Sequence, residues 1–181
     1  MLEIINQIST YGTLIILFIA IITLLAFGFF YKDKNVWLSF VKKNALNLYL
    51  ILLIPAVIVI LYYSEVALFT PCKLCWFQRM FIFPQILLIF LAKYKKDLVN
   101  IWTYLAWMTG FAFVISLLHN YIYYFGKEFA GVCDASASCT AYYVSELGFV
   151  TIPFMAFGLL VSLSTILIVR KYYKGNSVNL S

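Results

Sequence analysis

Charged residues are few in this chain and unevenly placed. Four long stretches carry none: 4–31, 44–64, 98–126 and 147–169. Each meets the roughly 20 residues that a helix needs to cross a bilayer. A fifth stretch, 80–92, is only 13 residues long. It reaches spanning length only if its helix begins at Cys75, which draws Arg79 into one end of it. The pattern therefore predicts five helices, at about 12–31, 45–64, 75–92, 99–122 and 149–169. No base precedes the first, and no small-residue cleavage pattern follows it. It reads as a retained span rather than a cleaved signal peptide.

Composition sharpens this. The chain is 65% hydrophobic and 11% charged, against roughly 45–50% and about 25% in soluble domains. The surplus apolar surface must face lipid. That excludes a soluble enzyme, a disordered chain and a nucleic-acid-binding domain, although the net charge is +6. The bases are a topology signal instead. Ten of the 13 fall within 32–43, 93–97 and 170–174. Lysine and arginine accumulate on the cytoplasmic side, so the N-terminus is expected outside and the C-terminus inside.

All four cysteines then lie on the exoplasmic side, where disulfides persist. Cys72 and Cys75 precede the third span, and Cys133 and Cys139 lie in the long loop before the last. Thr70 reads as a helix cap and Pro71 as the first helical residue, which puts the CxxC pair in the first turn. Cysteines three apart on a helix share a face, and a helix N-terminus favours the thiolate. Arg79, four residues past Cys75, would set a cation on that face beside any anion formed there. An arginine inside a span either snorkels or has a partner. His119, the only histidine, falls near the same end of the fourth span. It reads either as a hydrogen-bonded interfacial group or as a partner of a redox ligand held by Arg79. Cys133 and Cys139 suit a small, reducible loop disulfide, a structural staple, or half of a four-thiolate metal site.

The string Cys72-Lys73-Leu74-Cys75-Trp76-Phe77-Gln78-Arg79 resembles the DsbB family of membrane disulfide-forming proteins, most closely its BdbC-like branch. So do His119, the Cys133/Cys139 pair and Gly148-Phe149-Val150-Thr151-Ile152-Pro153. The resemblance covers about 45–170. It implies a four-helix transmembrane bundle, to which this chain adds one N-terminal span. The expected division is 1–44 for that span and a basic cytoplasmic loop, 45–170 for the bundle with two outer cysteine loops, and 171–181 for a cytoplasmic tail.

The resemblance also implies a thiol-disulfide oxidoreductase of the bacterial cytoplasmic membrane. Cys133 and Cys139 would oxidise a DsbA-type thioredoxin-fold thiol oxidase. Cys72 and Cys75 would pass the electrons to a membrane quinone, ubiquinone or menaquinone. Arg79, His119 and Cys75 would bind that quinone, and no metal would be needed. Two other readings stay open: a non-enzymatic metal-binding protein using four exoplasmic thiolates, and a vitamin K epoxide reductase-like thiol oxidoreductase.

Overall fold

The computed structural model describes residues 2–29, 35–95, 100–125 and 148–173. Cys133 and Cys139 lie outside the described residues. Five helices are long and apolar enough to cross a membrane, and no strand occurs among the described residues. They are α1 (Leu2–Phe29), α3 (Ala45–Leu61), α4 (Lys73–Lys95), α5 (Ile101–Phe125) and α6 (Ile152–Tyr172), with a short α2 (Val36–Lys43) between the first two. A π-helical turn, Tyr62–Val66, extends α3.

The bundle consists of α3, α4, α5 and α6 around a core that includes Leu53, Ile82, Leu105 and Leu160. Inside it, three buried polar side chains form a hydrogen-bonded chain. Tyr49 Oη donates to Gln85 Oε1 (2.5 Å) and takes the Thr109 hydroxyl (2.6 Å), while Gln85 Nε2 donates to Phe81 O (2.7 Å). One hydroxyl thus ties α3 to α4 and α5. Interhelical hydrogen bonds in membranes contribute about 0.6–2 kcal/mol each.

The first helix begins at Leu2, about ten residues before the expected start at 12. At 1.5 Å per residue its 28 residues span about 42 Å. That exceeds the roughly 30 Å of bilayer hydrocarbon, so α1 tilts or projects beyond it. It packs along α6 and touches α2. Small residues allow the approach: a Cβ on Gly158 would lie 2.7 Å from Thr13 Cγ2, and Ser162 Oγ reaches Ile16 O (3.4 Å). Tyr63 Oη donates to Asn6 Oδ1 (2.9 Å) and Trp37 Nε1 donates to Thr23 Oγ1 (3.0 Å). These bonds fasten α1 near each end.

The basic stretch 32–43 was expected as a loop, and its second half is instead helical. Asn35 caps α2 by accepting from Trp37 N and Leu38 N (2.9 and 3.3 Å). Such a cap contributes about 1 kcal/mol, too little to hold an eight-residue helix alone. Packing supplies the rest, because Leu38 and Val41 bury against Val169 and Tyr173. The apolar pair three apart among the lysines was the available sign. Tyr173, in the stretch expected as a cytoplasmic tail, is buried; its hydroxyl accepts from Asn35 N (2.9 Å) and its carbonyl accepts from Lys42 Nζ (2.7 Å).

Candidate active site

Cys72, rather than Thr70, occupies the cap position of α4. Trp76 N donates to Cys72 O (3.1 Å), the first bond of the helix, and Cys75 N donates to Cys72 Sγ (3.3 Å). Pro71 therefore stands just before the cap instead of inside the first turn. The sulfur does what a serine or aspartate oxygen does at a cap, accepting an otherwise orphaned amide.

Cys75 stands one turn on, its Sγ 2.9 Å from that of Cys72. The separation is longer than a disulfide bond, about 2.05 Å, and both thiols are free. On the other side of Cys72, His119 Nε2 lies 3.6 Å away. Asn120 holds this turn of α5 in place by donating to Ser116 O (2.8 Å) and to Pro153 O (3.0 Å) at the start of α6. The Cys72 thiol is held down at about 4, far below an ordinary thiol. The largest cause is the hydrogen bond from the Cys75 thiol; His119 adds to it, and burial opposes it. These neighbours favour the thiolate on Cys72, while Cys75 is the sulfur nearer Arg79 in the helix.

Arg79 lies one turn below Cys75. Its guanidinium donates to Ile60 O (3.4 Å) and rests over the Trp76 ring, 5.4 Å from the centroid. The structure thus gives the arginine partners inside the fold.

Cys72, Cys75, Arg79 and His119 all line one cavity of about 470 Å³. That is within the size range of small-molecule sites. Its other walls are mostly aliphatic, from α1, α3 and α6. Among the polar side chains in it that were not singled out from the sequence are Gln78 and Ser9. Gln78 is buried and its Nε2 has no partner among the described residues. Ser9, on α1, has an equally unpaired Oγ. The signal for Gln78 was present, because it falls three residues after Cys75 on the same helical face. Ser9 had none, since nothing local shows that α1 meets this site. His119 Nδ1 also lacks a partner among the described residues.

The donor atoms of Cys72, Cys75 and His119 lie within 4.8 Å of one another.

The sequence profile of the family described as "Disulfide bond formation protein DsbB" matches residues 42–169. Among similar proteins is a "Probable disulfide formation protein" of Oceanobacillus iheyensis, 36% identical over 119 residues, covering 63% of this chain and 81% of that one. A "Probable disulfide formation protein C" of Halalkalibacterium halodurans is 35% identical over 118 residues, covering 61% and 82%. The "Disulfide bond formation protein C" of Bacillus subtilis is 35% identical over 98 residues, covering 53% and 70%. No solved structure matches the chain. With a dithiol at a helix N-terminus, five candidate spans and a profile match over most of its length, the chain belongs to the DsbB family of disulfide bond formation proteins.

Proposed function

We propose that the chain is a thiol:quinone oxidoreductase of the bacterial cytoplasmic membrane. In this reading its cysteines and N-terminus face the exoplasmic side, and it reoxidises a DsbA-type thioredoxin-fold thiol oxidase. The observation that carries the reading is the seating of the Cys72–Cys75 dithiol in the wall of a largely apolar cavity with unpaired polar groups. An apolar cavity suits a lipid-soluble oxidant, and Gln78 Nε2 is a buried donor left over for an acceptor oxygen. The residues present therefore fit a quinone, and ubiquinone and menaquinone meet the same chemistry.

The catalytic unit is 45–170. The partner's dithiol is oxidised by a Cys133–Cys139 disulfide through successive attacks of thiolate on disulfide sulfur. The two loop thiols then reduce a Cys72–Cys75 disulfide in the same way. Each exchange forms one S–S bond and breaks one. Re-forming the Cys72–Cys75 disulfide from a thiolate and a thiol releases two electrons and one proton; a bound quinone would accept the two electrons and that proton, with a second proton, the one Cys72 shed on ionising, returned from the surroundings. Cys72 holds the reactive charge, stabilised by the Cys75 amide and His119. Arg79 and Gln78, both lining the cavity, would hold a quinone oxygen, and donors fixed before reaction need no reorganisation as charge develops.

The test is to reconstitute the protein with a reduced DsbA-type partner and follow quinone absorbance. Quinone loss in step with partner oxidation is expected, and partner oxidation without it overturns the reading. A metal-binding reading rests on the Cys72, Cys75 and His119 donor cluster. Stoichiometric zinc in the protein purified reduced, with no turnover, would establish that instead.

A further inference from the structure

The helix outside the family match is also the one whose purpose the DsbB resemblance leaves unstated. The match begins at residue 42, and α1 ends at Phe29. A helix added to a finished bundle would bury one face against it and present the other to lipid. Instead, α1 packs along α6 and touches α2, and the cavity opens on its remaining inward face. Ile8, Ser9, Gly12, Thr13 and Ile16 line it. Facing them are α3 residues from Ile51 to Ile60, including Pro55 and Ala56. At 1.5 Å per residue these two walls run about 12 and 14 Å along the helices.

The cavity therefore has two chemically different ends. Cys72, Gln78, Arg79 and His119 make one end polar. The other runs between α1 and α3 to Ile51 and Ile16 and is largely aliphatic, Ser9 and Thr13 being its polar side chains. Such a cavity matches a molecule with an oxygen-bearing ring and an apolar chain, not a bare ring. Gly12 sits midway on the α1 wall, and a Cβ there would meet nothing within 4 Å. The free space at Gly12 is part of the slot. The α1 wall is held in place by Tyr63–Asn6, Ser162–Ile16 and the Gly158–Thr13 contact.

We infer that α1 is a wall of the ligand site in this chain, and that the α1–α3 slot holds the apolar tail of a prenylated quinone while the α4–α5 end holds its ring. The inference rests on the quinone reading above and adds to it the helix, outside the family match, that would seat the tail.

The experiment compares a prenylated quinone with its tailless analogue on the full chain in lipid nanodiscs. Two quantities are read: the ligand-induced rise in melting temperature, converted to affinity, and the quinone KM. Wild type is expected to bind the prenylated form at least about tenfold more tightly. Gly12→Phe fills the slot and should weaken the prenylated quinone at least about tenfold, with less than about threefold change for the tailless one. Gly28→Phe, on an exposed position of the same helix, should change neither. If Gly12→Phe does not fold, Gly12→Leu takes its place with a smaller effect of the same pattern. If wild type binds prenylated quinone and the Gly12 variants leave that affinity untouched, α1 is no part of the site. Equal loss for both quinones assigns the slot to the ring and overturns the tail assignment. If wild type binds neither quinone, the quinone reading itself falls and this inference with it.

Discussion

Two polar regions lie inside this apolar bundle, and they are built on opposite plans. At mid-bundle, Tyr49, Gln85 and Thr109 use one another's donors and acceptors. Near Cys72, Gln78 Nε2, His119 Nδ1 and Ser9 Oγ are buried with no partner among the described residues. A buried donor left unpaired costs about 1–3 kcal/mol. The first region spends its polar groups on holding helices together. The second keeps them available, at a cost in stability that its function must offset. Polar residues in a membrane interior thus divide by satisfaction as well as by depth.

The sharpest separation comes from the thiols. Cys72→Ser removes the sulfur that caps α4 and carries the charge, and turnover should fall by at least about a thousandfold. Because serine also caps helices, the melting temperature should hardly move. A large loss of stability instead would make Cys72 a structural residue and erase the contrast.

Arg79→His should raise the quinone KM about tenfold, since a planar guanidinium is replaced by a shorter ring. The KM for the partner should not follow. An unchanged quinone KM would remove Arg79 from the site.

Tyr49→Phe should behave in the opposite way. It leaves Gln85 Oε1 and Thr109 Oγ1 without their shared hydroxyl and should cost about 1–2 kcal/mol. Unfolding measured in detergent would show it, with quinone KM unchanged. A kinetic effect without a stability effect would mean that the mid-bundle network serves the reaction.

The smallest effect is on acidity. The Cys72 thiol is held below its ordinary value of about 8.5, chiefly by the hydrogen bond from the Cys75 thiol and with help from His119. His119→Gln removes one of the influences that lower it, so the midpoint of Cys72 alkylation against pH should move upward. An unmoved midpoint would show that the hydrogen bond from Cys75 suffices.

Much of this was legible in the sequence because the signals were local. Charge-free runs marked the five spans, and the need to include Arg79 in the third already put a cation near the cysteines. The CxxC spacing put both sulfurs on one turn. The shift of the cap was a local miss, and most of the others come from tertiary structure. The α2 helix forms because Leu38 and Val41 have Val169 and Tyr173 to pack against. The cap passes from Thr70 to Cys72 because the cysteine sulfur can take the Cys75 amide. Ser9 and Gly12 enter the cavity because α1 folds back onto α6, more than a hundred residues away. Cys133 and Cys139 fall outside the described residues, and their part rests on the family resemblance.

Gly158 carries a consequence for how the site tolerates change. It is the α6 residue over which α1 passes, with Thr13 Cγ2 2.7 Å from where its Cβ would stand. The Thr13 methyl cannot simply turn aside, because the hydroxyl on the same carbon is bonded to Ser9 O at 2.7 Å. A methyl group added to α6 would therefore be transmitted to the backbone of Ser9, at the cavity wall. Gly158 works as a spacing gauge: the absence of one carbon on α6 sets how closely α1 approaches, and with it the width of the chamber that both helices line.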